Sequence, residues 1–390
     1  MKNIKPIGFD DKLQHSILLL QNAEKIALKY DYDNGYYLAF SGGKDSQALY
    51  HLAKLAGVKF KAHMNLTSVD PPQVIRFVRK HYPDVIKHAP EKSIYQIAVE
   101  KEILPSKRIR WCCKDLKETA GAEKVTLIGI RKKESARRAK RNEVEVTSRK
   151  FSGNLEGFEV WQAKEIEKRE AKIIRKMKRE GKKINEDEFS LKRDNVVKCI
   201  NGKDSILISP IFEWTERDVW YFLNNVIKVA HCELYDMGYR RIGCILCPMS
   251  QFKQKVREMK DYPHVKHNWI KTIKKIREKT ISRKNEMKEY KIKNKSKTLN
   301  HNSQKLGGWV ENPNKDAWKS SWKRKTLKGI WKGVLNNPSV QIYTEGKNEE
   351  DIIAENIFDW WISGKSFKKW YADKFIQLKI NFDAENEIKK

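Results

Sequence analysis

Gly35-Tyr-Tyr-Leu-Ala-Phe-Ser-Gly-Gly-Lys-Asp-Ser-Gln-Ala-Leu-Tyr-His-Leu-Ala-Lys-Leu55 decides the fold. Gly35 to Phe40 is a short apolar run that reads as a strand, and Gln47 to Leu55 has the spacing of a helix. Between them lies the Gly-rich segment Ser41-Gly-Gly-Lys-Asp-Ser46. Two glycines let the chain turn sharply and aim successive N–H groups inward, and the helix start adds the positive end of its dipole, so a phosphate can be bound largely by main chain. Ser41 and Ser46 add hydroxyls and Lys44 a mobile charge. Asp45 is placed to orient the loop or to help hold Mg²⁺.

Working outward, Lys12 to Tyr30 carries apolar residues at a period near 3.6 and predicts an amphipathic helix. Further strands are expected at Lys59 to Asn65, Val125 to Ile130 and Ser205 to Ile208. Helices are expected at Pro72 to His81, Ser93 to Lys101 and Glu216 to Val226, the last with Thr215 as N-cap and Asp218 three residues on. Asp70 should cap the helix beginning at Pro71 or Pro72. Strands alternating with helices indicate an α/β fold with a mainly parallel, doubly wound sheet. The charged stretch at about 140–203 reads as a helical insertion, with a lysine-rich exposed helix from Ile166 to Gly181. Three segments follow: an N-terminal helix at 1–34, a nucleotide-binding domain at 35–250, and a basic, Trp-rich helical domain at 251–390.

The 390 residues carry 81 Lys plus Arg against 50 Asp plus Glu, a formal charge of +31. With 39% hydrophobic residues and few Gly or Pro, wholesale disorder and collagen-like repeats are excluded. The longest apolar runs are too short for a membrane helix, and a cytoplasmic protein is expected. Between Gln251 and Asn300, 17 Lys or Arg face 5 acids. Such an excess fits a phosphate-rich partner, with DNA and tRNA the candidates, or else a solvated helix face in a Lys-rich composition. Trp309, Trp318, Trp322 and Trp331, set among lysines, read as helical core residues rather than base-stacking platforms.

Four of the six cysteines form two close pairs, Cys112-Cys113 and Cys244-Ile-Leu-Cys247. Cys-x-x-Cys spacing directs two thiolates at one metal centre, and the first pair supplies two more in a basic setting. Adjacent cysteines suit the separate irons of a [4Fe–4S] cubane better than one Zn²⁺, which stays the alternative. Cys199 and Cys232 have no partner in sequence.

The loop resembles the SGGxDS pyrophosphate loop of the adenine nucleotide α-hydrolase-like superfamily. Gly129-Ile-Arg-Lys-Lys-Glu-Ser135 with Arg138, Ser209 to Trp220, and Leu234-Tyr-Asp-Met-Gly-Tyr-Arg-Arg-Ile-Gly-Cys244 are similar to successive blocks of the phosphoadenylyl sulfate (PAPS) reductase family. The cysteine pattern resembles the cluster-bearing adenylyl sulfate reductases and the related subunit of DNA phosphorothioation systems. The resemblance implies an adenine nucleotide, ATP or an adenylyl sulfate, at Ser41, Gly42, Gly43, Lys44, Asp45 and Ser46. Arg131, Arg137 and Arg138 would neutralise developing charge, and Lys44, Asp45 and Arg131 would act in catalysis. The family's assimilatory reductases use a cysteine in a C-terminal Glu-Cys-Gly segment, whereas no cysteine follows Cys247 here. The expectation is therefore an adenylyl-activating sulfur-transfer enzyme, with nucleic acid a candidate acceptor and a sulfur-donor protein a candidate partner. A sulfite-releasing reductase and a non-catalytic nucleotide-binding regulator are the alternatives.

Overall fold

The computed structural model describes residues 4–118, 121–147, 150–181, 204–299, 349–366, 369–370 and 373. These residues fall into two compact units: 1–90 with 113–244, and 91–112 with 245–390.

The first unit is built on a seven-stranded sheet in the order β3-β2-β1-β4-β7-β5-β6. Its strands are β1 (Tyr36–Ala39), β2 (Phe60–Asn65), β3 (Ile86–His88), β4 (Val125–Leu127), β5 (Val144–Val146), β6 (Ser152–Gly153) and β7 (Ile206–Ile208). The five strands from β3 to β7 in that order are parallel; β5 pairs antiparallel with β7, and β6 with β5. This confirms an α/β fold with a mostly parallel sheet flanked by helices. The chain leaves β1 outward through β2 and β3, then returns to β4 on its other side. The carboxyl ends of β1 and β4 thus border a topological switch point, where open α/β sheets bind ligands.

Helix α1 (Phe9–Tyr30) belongs to this unit rather than standing apart from it. It buries Leu19, Leu20, Ala23, Ile26 and Ala27, one stripe at helical spacing, in the core that holds Tyr36 and Leu38 of β1. Each such leucine contributes about 1.5–3 kcal/mol on burial. Polar pins fix the register of the helix: Tyr36 Oη donates to the Leu20 carbonyl at 2.7 Å, and Trp214 Nε1 donates to Ser16 Oγ at 3.0 Å. The Thr215 cap forms as the spacing predicts, with Asp218 N–H donating to Thr215 Oγ1 and Thr215 N–H to Asp218 Oδ2. Lys12 donates to the same fully buried carboxylate at 2.8 Å, tying α1 to that cap.

Several expectations change. The helix after Thr215 is α-helical only over Glu216–Tyr221 and widens into a π turn at Phe222–Ile227. Strand β3 lacks apolar alternation because it is an outer strand, with Ile86 and His88 exposed. Strands β5 and β6 lie inside the stretch read as an insertion, so its first part completes the sheet; the exposed helix follows at Leu155–Arg179. Asp70 does not cap α3 (Pro72–His81), whose N-cap is Pro71; it accepts instead from Thr67 Oγ1 at 2.9 Å and from the Thr67 amide. Cys199 and the segment from Leu306 to Trp331 lie outside the described residues.

The second unit is helical. Ile94–Lys101 packs on the long helix Pro263–Leu299, which also carries Glu349–Ser363. Trp269, Ile273, Ile353, Ile357 and Phe358 are buried there, and Trp269 meets Tyr95 edge-on at 5.0 Å and Trp361 at 4.8 Å. Arg283 donates to Glu102 at 2.8 Å. A helix that the alternating pattern assigns to the sheet domain therefore serves a different core. No helix among the described residues is long and apolar enough to cross a membrane.

Candidate nucleotide site

Strand β1 delivers the chain into Ser41-Gly42-Gly43, and helix α2 (Lys44–Leu55) starts immediately after. Gly42 has φ +72°, and a Cβ there would lie 2.7 Å from Val74 Cγ1 and 2.9 Å from Val78 Cγ2. Glycine is required at this position for both reasons. At Gly43 a Cβ would meet Ser41 Oγ and Tyr235 Oη only at 3.5 Å. The close approach comes instead at Gly129, whose Cβ would sit 3.1 Å from the Asp45 carbonyl.

Hydroxyl groups hold part of the loop. Ser41 N–H donates to Ser46 Oγ at 3.1 Å, Ser46 Oγ donates to the Gly43 carbonyl at 2.9 Å, and Lys44 N–H donates to Tyr235 Oη at 2.8 Å. Two amides expected to face a phosphate are thus already used. Among the described residues, the N–H groups of Gly43, Asp45 and Ser46 meet no acceptor and remain as main-chain donors.

These groups line a cavity of about 150 Å³ together with Glu134, Arg138 and Arg241. Lys44 is not the mobile charge expected. Its side chain is 3% exposed, and its ammonium donates to the Arg240 carbonyl at 3.3 Å and faces Glu216 at 3.5 Å and Asp45 at 3.8 Å. Arg131, also buried, donates from Nε to Asp45 Oδ1 at 2.7 Å. Both Asp45 oxygens therefore face cations, a donor arrangement that does not suit Mg²⁺ as it stands. Glu134 gathers three guanidinium groups: Arg131 at 3.9 Å, Arg241 at 3.8 Å and Arg138 in closer contact. Burial, reinforced by Arg241, lowers the Arg138 pKa to about 10. Arg137 is exposed on the short helix Ala136–Ala139 and does not line the cavity.

A second cavity of about 140 Å³ shares Ala39, Ser41 and Ile242 with the first. Its walls carry His63, Asn65, Asp70 and Lys117. His63 stacks on Tyr37 with ring centroids 4.2 Å apart and hydrogen-bonds His88 at 2.9 Å. Burial pushes the His63 pKa down to about 4, with His88 adding to the effect. Lys117 is held protonated above the ordinary lysine range, first by Cys244 and further by Asp70 and Cys113. Thr67 Oγ1 lies 3.3 Å from Cys244 Sγ.

Of the four paired cysteines, Cys113 and Cys244 belong to the first unit, and Cys112 and Cys247 to the second. All four are half-buried thiols. Their chemistry suits iron or zinc, yet among the described residues no group of three or more His, Cys, Asp or Glu side chains is arranged to hold a metal ion. Cys232 is fully buried, and burial raises its pKa. Sequence reasoning passed over Glu134, Tyr235 and Arg241, although each lies inside a motif block; their roles depend on neighbours far away in the chain.

The phosphoadenosine phosphosulfate reductase domain matches residues 35–250, more than half of the chain. The chain belongs to the PAPS reductase domain family. Two uncharacterized proteins of Methanocaldococcus jannaschii are similar to it, at 28% identity over 61% of this chain and 23% over 62%. The alignments cover 47% and 42% of those relatives, so the chain spans about half their length. Among solved structures, a PAPS reductase from Candida auris in a phosphate complex aligns over 62% of this chain and 97% of that one, with 15% identity and a TM-score of 0.33. The family assignment rests on the domain match, which spans β1 to Cys244 and so contains both cavities.

Proposed function

We propose that this PAPS reductase family chain binds ATP or an adenylyl sulfate with its phosphates at Ser41–Ser46 and activates the nucleotide for sulfur transfer. The observation that carries the reading is a cavity at the sheet's switch point that joins free loop amides to Arg138 and Arg241. The amides and the start of α2 hold the phosphates, while the two arginines neutralise charge building on the transferred or leaving group. Arg131 and Lys44, both buried and paired with Asp45, act by fixing the loop against β4 and the block after it. The adjoining cavity, with Asn65 and a His63 ring backed by Tyr37, suits the nucleoside.

Calorimetric titration with ATP and with adenosine 5′-phosphosulfate tests binding. Product analysis then separates the readings: pyrophosphate from ATP supports nucleotide activation, sulfite from the adenylyl sulfate supports a reductase, and binding without turnover supports a regulator. The [4Fe–4S] cluster is retained as a proposal on the donor chemistry of Cys112, Cys113, Cys244 and Cys247 alone, and iron, sulfide and zinc analysis of anaerobically purified protein tests it. Nucleic acid as the sulfur acceptor is supported by the basic helices Phe252–Asp261 and Pro263–Leu299. Binding to DNA and tRNA across a salt series tests that, since phosphate contacts give a steep salt slope.

A further inference from the structure

The phenol of Tyr235 occupies an unusual position. Its oxygen accepts the Lys44 N–H at 2.8 Å, at the first residue of α2, where a phosphate oxygen would otherwise sit. The residue lines the first cavity beside Ser41, Gly43 and Arg241. Its ring is fixed edge-on by Trp220 at 4.9 Å and by His231 at 6.1 Å, with the Lys44 ammonium 5.5 Å from its centroid. A tyrosine hydroxyl has one proton to donate and can accept at the same time. With the acceptor side taken by Lys44, that proton points elsewhere, and among the described residues no group accepts it. A half-buried donor at a cavity where Arg138 and Arg241 stand beside Asp45 and Glu134 has room for an oxyanion as its acceptor.

We infer that Tyr235 is a binding residue of the phosphate site: it takes over the Lys44 amide and passes a hydroxyl donor to the terminal anionic group of the bound nucleotide. The inference rests on the proposed nucleotide function. The relay extends the reach of the loop by the length of a hydroxyl. It also couples the segment Glu233–Tyr235 to the occupancy of the loop. Burial raises the phenol pKa, so the group stays a proton donor across the physiological range.

The test titrates ATP, adenosine 5′-phosphosulfate and adenosine into the wild-type protein and into Tyr235→Phe. Losing a hydrogen bond to a charged group should weaken the anionic nucleotides about ten- to a hundredfold and leave adenosine unchanged. Unchanged or tighter ATP and phosphosulfate binding by Tyr235→Phe would overturn the inference alone, since the phenol would then be a placeholder that vacates the Lys44 amide. Failure of the wild type to bind either anionic nucleotide would remove the proposed function and the inference together. Site-specific 3-fluorotyrosine at position 235 provides a second variant that keeps the shape and strengthens the donor. It should bind ATP or the phosphosulfate at least as well as wild type, and a clear loss would also overturn the relay.

Discussion

Arg131 Nε donates to Asp45 Oδ1 at 2.7 Å across 86 positions of sequence, joining the start of α2 to the segment that follows β4. The arginine side chain is 6% exposed and the aspartate 22%, so the pair is shielded from water on the guanidinium side. Removing either partner alone leaves a charge facing groups arranged for its complement. A double-mutant cycle with Asp45→Asn and Arg131→Gln should give a coupling of about 1–3 kcal/mol in urea unfolding. Additive single effects would show that the two act independently.

The two loop glycines should respond differently to alanine. Gly42→Ala combines a left-handed backbone with a Cβ 2.7 Å from Val74, and should cost about 1–3 kcal/mol of stability together with nucleotide binding. Gly43→Ala, with its Cβ in ordinary contact, should remain within about 1 kcal/mol of wild type. Thermal unfolding of the two variants compares them directly.

Glu134 is the shared counter-charge of Arg131, Arg138 and Arg241. Glu134→Gln should leave three cations facing one another, lowering the melting temperature in anion-poor buffer. Inorganic phosphate should then restore more stability to the variant than to wild type, because an added anion replaces the missing carboxylate. Melting curves at increasing phosphate provide the measurement; equal stabilisation of both proteins would contradict this role.

His51 and His63 each have a pKa lowered to about 4, mainly by burial. The unfolded chain takes up protons near the ordinary histidine value, about 6.5, while the folded chain does not, so this contribution to stability is present above that value and is lost as pH falls toward 4. Urea midpoints measured between about pH 7 and about pH 5 should decline, and the decline should be shallower in His51→Gln, His63→Gln protein.

The turn between β1 and α2, the Thr215 cap and the parallel strands β1, β2, β4 and β7 were legible because each follows from local pattern: a Gly-Gly pair, a capping spacing, an apolar run. Strands β3 and β5 were not, since Ile86-Lys-His88 and Val144-Glu-Val146 are three-residue segments whose strand state depends on the neighbour they pair with. Ile94–Lys101 has a clear helical pattern, but nothing in that pattern says which core receives Tyr95. Around the loop, the partnerships of the side chains were not readable. Lys44 looked like a mobile charge because Glu216 and the Arg240 carbonyl, which hold it, lie more than 170 positions away. Tyr235 gave no sign of its link to the loop because an aromatic beside Leu234 reads equally well as core.

The antiparallel pair β5–β6 covers an edge of the parallel sheet. Strand β7 is short and apolar, with Ile206 and Ile208 each 1% exposed, and β5 satisfies its outer backbone groups through Val144, Glu145 and Val146. Without that cover, Ile206-Leu-Ile208 would offer an open row of N–H and C=O groups to another chain, the arrangement from which intermolecular sheets grow. The charged residues around β5, among them Arg141, Glu143 and Glu145, place polar side chains beside the paired edge. Part of a stretch that its charge marks as an insertion is thus a guard strand, and trimming it would leave the apolar edge of β7 open.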